Sequence, residues 1–245
     1  SRPDRYVTTG HSFQFIMLLD PLQTATLIRM ALEQQFAILA VNADSPAAIT
    51  DCLEAARTCN APIWIETSLW QLTGQSFGAG DPLLGLARYL SQLTVLASHP
   101  RYASIPIGFH TDHIKGPQTL PLLRAAIQGI PFGTTQHLLR ASSISLDSSE
   151  MSETENIQHV VQLAQYAEEA QMPVTLEMEA GVDAGVTEVE VADRLLGAVE
   201  SAQPGKIQLW APGVGTHHGL SDTGYPFSAR AVEAHQQRAT QLCGR

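Results

Sequence analysis

Positive charge is the scarcest commodity in this chain. Lys and Arg total 14 against 24 Asp and Glu, for a formal net charge of −10, and only two of the cations, Lys115 and Lys206, are lysines. No basic cluster is available to neutralise a phosphate backbone, which excludes a nucleic-acid-binding surface and requires any phosphate to be met at a local site. Cysteine is also sparse. Cys52, Cys59 and Cys243 are too few and too irregular for a disulfide framework, and Cys52 and Cys59 lie at helical spacing, so a reducing cytoplasm is the expected location. No apolar run approaches the ~18 residues of a membrane span, and the N-terminus lacks the basic-then-apolar order of an export signal. Linker-like stretches are missing too. With 44% hydrophobic and 16% charged residues in 245, the chain is read as a single domain, 1–245, in which residues 1–35 lead into the first strand.

What is present is one pattern, repeated. Apolar residues from Leu22 to Gln35 recur at helical spacing. Phe36 to Val41 then reads as a buried strand ending at Asn42, and Ser45-Pro46 opens a helix reaching about Cys59. Ala61 to Ile65 is a second strand, followed by a Gly-rich loop and a helix over Pro82–Ser98. Ser104 to Gly108 runs into Phe109-His110-Thr111-Asp112-His113, with a helix from about Thr119 to Gln128. Ala141–Leu146 with a helix over 153–171, Pro173–Glu179 with a helix over 187–201, and Lys206–Trp210 with a helix over 229–242 complete six strand–helix units. Such a series implies a parallel sheet covered on both faces, an α/β architecture.

The polar residues fall at one end of these strands. Asn42, Ser68, Asp112 with His113, Asp147, Glu177 with Glu179, and His218 all lie at predicted C-terminal strand ends, where parallel barrels and open sheets bind ligands. Polar residues mark strand ends in any protein, but two imidazoles and a carboxylate within four residues read as half of a metal site. Period-two alternation puts Thr175, Glu177 and Glu179 on one strand face, where a cation, a proton or an arginine must answer the carboxylates. His218 follows Gly215-Thr216; with His113 and Glu179 it offers the nitrogen and oxygen donors that catalytic zinc uses. His11, His99, His137, His159 and His235 are assigned no chemistry.

These residues resemble the class II, metal-dependent fructose-bisphosphate and tagatose-bisphosphate aldolases. His110-Thr111-Asp112-His113 is similar to that family's strand-three motif, Ser142 to Asp147 with Glu155-Asn156 to its strand-four segment, Leu176-Glu177-Met178-Glu179 to its Glu-x-Glu, and Gly215-Thr216-His217-His218-Gly219 to its Gly-x-x-His-Gly. Order and spacing agree over roughly residues 22–225. The resemblance implies a TIM (β/α)8-type barrel and a carbon–carbon lyase that cleaves or forms a ketose phosphate or bisphosphate through a zinc-stabilised enediolate. It implies Asp112 as acid/base; His113, His218 and Glu179 as ligands of Zn2+ or another divalent metal; and Asn42, Ser68, Gly215 and Asp147 as substrate-binding residues. A small phosphorylated sugar, homodimerisation or higher homo-oligomerisation, and neither nucleic acid nor membrane are the expected partnerships. A Schiff-base route is disfavoured, since Lys206 opens its strand at the wrong end and Lys115 lies just past the metal motif.

Two departures from the family pattern stand out. Its seventh strand, bearing His-Gly-Gly-Ser-Gly with a third zinc histidine and part of the phosphate site, and its eighth strand are not found in this sequence. The loop Ala180–Gly185 is also shorter than the family's acid-rich mobile loop, which carries a proton-transferring Glu. The absent third histidine favours a competing expectation, a non-catalytic aldolase-like subunit that has lost part of the metal site; a divalent-metal hydrolase on the same barrel is a separate alternative.

Overall fold

The structure is a computed structural model that describes residues 18–147, 150–178, 186–215 and 227–244. Six parallel strands form an arc. β1 (Leu39–Asn42), β2 (Ile63–Thr67) and β3 (Ile107–Thr111) pair in that order, with Leu39, Ile63 and Ile107 level across the sheet. Between β3 and the fourth parallel strand the chain inserts an antiparallel hairpin, β4 (Ile130–Pro131) with β5 (Leu138–Leu139), which sequence periodicity did not anticipate. β6 (Ile144–Ser145), β7 (Val174–Met178) and β8 (Ile207–Pro212) then continue the parallel arrangement.

The two halves of the arc meet where the sequence reads Ala141-Ser-Ser-Ile-Ser145. Ser142 N and Ser143 N donate to Phe109 O at 2.9 and 3.2 Å, and the Ser142 hydroxyl accepts from Phe109 N at 2.9 Å. Thr111 Oγ1 donates to Ser145 O and accepts from Ser145 N, at 2.9 and 2.8 Å. Hydroxyls thus stand in for part of the strand ladder, which keeps the backbone polar groups of a buried seam satisfied and explains why only Ile144–Ser145 is regular strand.

β2 and β3 bury both faces, whereas β1, expected from sequence to be a buried strand, is largely exposed, with Leu39 at 65%. Ile63, Ile65, Ile107 and Phe109 face the helical layer, where α2 (Pro46–Cys59) presents Ile49 and Leu53 and α4 (Pro82–Ala97) presents Leu86, Tyr89, Leu90 and Leu93. The Tyr89 ring lies 5.5 Å from that of Phe109. Residues of opposite parity, Trp64, Gly108 and His110, line the other face, with Trp64 and His110 stacked at 6.1 Å. Gly108 is required there: a Cβ at this position would lie 2.2 Å from Trp64 Cδ1. α5 (Leu120–Gln128) and α6 (Glu153–Glu168) extend the same core through Leu123, Ile127, Val160 and Leu163, each fully buried aliphatic contributing about 1.5–3 kcal/mol.

Local signals account for the helix bounds. Ser45 caps α2 ahead of Pro46, and Asp20 with Gln23 forms a capping box on α1 (Pro21–Gln34). Ser68 and Gln71 do the same for a short helix, α3 (Leu69–Thr73), inside what reads as a loop. The helix expected over 187–201 divides at Leu195 into α7 (Val189–Arg194) and α8 (Leu196–Ala202), and α9 (Ala229–Cys243) closes the described chain. Among the described residues β1 pairs only with β2, and β8 only with β7, so the six strands make an incomplete barrel. Among them too, no helix is long and apolar enough to cross a membrane.

Candidate active site at the C-terminal strand ends

Four strand ends meet in one chain of polar contacts. At the end of β1, Asn42 Nδ2 donates to Asp112 Oδ2 at 2.6 Å. Asp112 follows β3 directly, and its backbone N–H donates to Thr67 O at the end of β2 (2.9 Å). The next residue, His113, adopts φ 48°, a left-handed conformation uncommon for a residue with a side chain and enriched at functional sites. His113 Nδ1 lies 3.0 Å from Asp147 Oδ2, which follows β6, and His113 Nε2 lies 3.8 Å from Asp112 Oδ2. Access is graded along this chain: the Asp112 and His113 side chains are 20% and 26% exposed, that of Asp147 only 2%. Lys115 Nζ contributes at the outside, 2.8 Å from Glu150 and 3.8 Å from Asp147.

Two further titratable groups lie beneath this rim. Burial, reinforced by the neighbouring Asp112 charge and opposed by His113, raises the Glu66 carboxyl from its ordinary 4.5 to about 8. Sequence reasoning passed over Glu66 in favour of Ser68, although its parity with Trp64 was a usable signal. Burial likewise lowers the His110 imidazole to about 4, against the opposing influence of Asp112 and Ser143. With Nδ1 2.7 Å from Ser143 Oγ and its ring on Trp64, His110 is a packed interior group rather than an exposed one.

Comparison with known proteins decides the family. The model of fructose-bisphosphate aldolase class-II matches residues 22–243. The chain belongs to the class-II fructose-bisphosphate aldolase family. It is 32% identical over 165 residues to fructose-bisphosphate aldolase from Candida albicans and 33% identical over 169 residues to that from Neurospora crassa, each match covering 65% of this chain. The chain spans 45% of the length of either relative. Among solved structures, fructose-bisphosphate aldolase from Campylobacter jejuni superposes with a TM-score of 0.72 at 21% identity, covering 94% of this chain and 68% of that one. The YdjI aldolase from Escherichia coli K12 gives a TM-score of 0.59 at 16% identity, covering 91% and 69%. At these identities the superpositions establish the fold, a TIM-type barrel.

Within this class-II aldolase fold the residues singled out from sequence fall into three groups. Asn42, Asp112, His113 and Asp147 are brought together as described. Ser68 sits at the adjoining strand end, where its Oγ accepts from Gln71 N at 3.3 Å as the α3 cap. Gly215 closes the described stretch after β8 with φ 89°, a conformation that glycine adopts without steric cost. Glu179 and His218 lie outside the described residues. Among the described residues no group of three His, Cys, Asp or Glu side chains is placed to hold a cation. His113 nevertheless has the chemistry of a ligand, because an imidazole whose Nδ1 is held by a carboxylate is the arrangement that orients metal-bound histidines.

Proposed function

We propose that the chain works as a metal-dependent aldolase, a carbon–carbon lyase acting on a ketose phosphate or bisphosphate. The observation that carries this reading is the Asn42–Asp112–His113–Asp147 chain across three strand ends, in a member of the class-II family. His113, His218 and Glu179 would hold zinc or another divalent ion, which supplies Lewis acidity toward the substrate ketone. Asp147 fixes the His113 ring, leaving Nε2 as the donor atom on the Asp112 side. In cleavage Asp112 takes the proton of the hydroxyl on the carbon β to the ketone; that carbon leaves as an aldehyde while the electrons of the broken carbon–carbon bond pass toward the ketone, and in condensation the proton is returned. Asn42 donates to Oδ2 of that carboxylate, which holds its orientation and leaves Oδ1 for the proton. Ser68 and the amides near Gly215 are the groups for the substrate phosphate. A homodimer in the cytoplasm completes the reading.

The test is cleavage of ketose bisphosphates, read as triose phosphate release, by wild type and Asp112→Asn. Loss of cleavage by a factor of about 10²–10⁴ with metal retained supports the acid/base role. Release of inorganic phosphate without carbon–carbon cleavage points to the hydrolase, and neither product points to the non-catalytic subunit.

A further inference from the structure

Glu66 stands in a row of polar residues that crosses the inner face of the arc. Its register partners are Asn42 on β1 and His110 on β3, and a bridge carries the row on from His110 to Ser143. Register partners in a parallel sheet turn their side chains to the same face, so all four lie side by side just below the rim. Three of them have partners. Asn42 donates to Asp112 at 2.6 Å, and His110 Nδ1 lies 2.7 Å from Ser143 Oγ. Glu66 differs: it is half-buried, yet among the described residues no hydrogen bond or ion pair reaches its carboxyl oxygens.

The backbone of Glu66 is firmly held. Its carbonyl accepts from the Tyr89 hydroxyl at 3.0 Å and from Ala43 N at 3.3 Å, so the carboxyl is presented from a fixed strand end. Its charge is within electrostatic reach of both Asp112 and His113. Two residues earlier on the same face, Trp64 is 7% exposed, and its Nε1 is buried without a partner among the described residues. Polar groups left open in this way are usually completed by water or by a ligand.

We propose that Glu66 is a specificity-determining residue of the aldolase site, hydrogen-bonding a hydroxyl on the half of the substrate that leaves as the aldehyde. The inference rests on the aldolase reading above. Asp112 serves the hydroxyl at the breaking bond and His113 lies toward the ketone half, so the next hydroxyl along the aldehyde half is the one that Glu66 meets. A hydroxyl both donates and accepts, and pairs with a carboxyl in either protonation state.

The experiment is condensation of dihydroxyacetone phosphate, in the presence of zinc, with either glyceraldehyde 3-phosphate or 3-phosphopropanal, which lacks only the hydroxyl beside the aldehyde. Wild type, Glu66→Leu and Glu66→Gln are compared by the ratio of kcat/KM for the two aldehydes, which a general loss of activity leaves unmoved. Wild type is expected to favour the hydroxylated aldehyde by about 10–100-fold, the range of one hydrogen bond to a strongly polar group. Glu66→Leu is expected to lose most of that preference, and Glu66→Gln, whose amide still donates and accepts, to keep most of it. A wild-type ratio near one, or an undiminished preference in Glu66→Leu, overturns the role of Glu66 alone. A Glu66→Gln variant no better than Glu66→Leu also overturns it, because hydrogen bonding would then not carry the preference. Wild type that condenses neither aldehyde overturns the aldolase reading and this role together. Should Glu66→Leu fail to fold by circular dichroism, Glu66→Asp, whose carboxyl is set back by one methylene, takes its place: a reduced preference supports the role and a full one overturns it.

Discussion

Replacing Glu66 by Gln should flatten the pH dependence of stability on the alkaline side. In the folded chain burial and the Asp112 charge hold this carboxyl protonated up to about pH 8, whereas its ordinary value is 4.5. The folded state therefore binds a proton that the unfolded state has already lost, and the resulting stabilisation is full below about pH 4.5 and disappears as pH rises through about 8. A rise from 4.5 to about 8 corresponds to a ceiling of about 5 kcal/mol. Of this, about 2 kcal/mol is lost between about pH 6 and pH 8. For a chain of this size that is about 4–8 °C in Tm. Gln keeps the shape and does not titrate, so wild type should lose this increment relative to Glu66→Gln over that interval. Urea unfolding at several pH values, with chelator present so that no cation engages Asp112 and His113, measures the difference. Parallel stability–pH curves for the two proteins would refute both the partly buried, protonated carboxyl and the like-charge pairing with Asp112.

Three other perturbations test separate parts of the structure. Asp147→Asn keeps a side chain beside His113 Nδ1 but removes its charge, and is expected to weaken zinc binding by about 10–100-fold with little change in Tm; competitor titration reads it. Gly108→Ala forces a methyl group into Trp64 and should cost about 1–3 kcal/mol by chemical denaturation, because the Trp64–His110 stack must shift. Tyr89, fully buried, donates its hydroxyl toward Ala43 O and Glu66 O at 2.8 and 3.0 Å, tying the ends of β1 and β2. Tyr89→Phe should cost about 1–3 kcal/mol in the same assay, since it leaves carbonyls without that donor.

The six parallel strands were legible because each is a short apolar run ending in polar residues, and α2, α4, α6 and α9 because caps and apolar periodicity agree. The β4–β5 hairpin was not, since two-residue strands broken by Pro131 and Gly133 show no alternation. The division at Leu195 was not either, because apolar spacing continues through it: Ala192, Leu195, Leu196 and Val199 are all buried. α3 could have been found from its capping box, Ser68 with Gln71 ahead of an apolar turn.

At the site, membership of the rim was legible and connectivity was not. Strand-end position brings Asn42, Asp112, His113 and Asp147 to one face. That Asn42 holds Asp112 across 70 residues, or that Asp147 meets His113 rather than open solvent, depends on strand order and on the left-handed turn at His113. Glu66 escaped notice because its raised carboxyl comes from burial, and burial of a single polar residue depends on what packs over it rather than on its own sequence neighbourhood.

Elemental analysis is a direct assay of His113 as a metal ligand in this barrel rim. Wild type and His113→Ala would be purified in parallel, loaded with zinc, desalted and measured for bound metal per chain. About one zinc is expected in wild type and little or none in a folded His113→Ala variant. Equal zinc in both, or none in wild type, would rule out the ligand role.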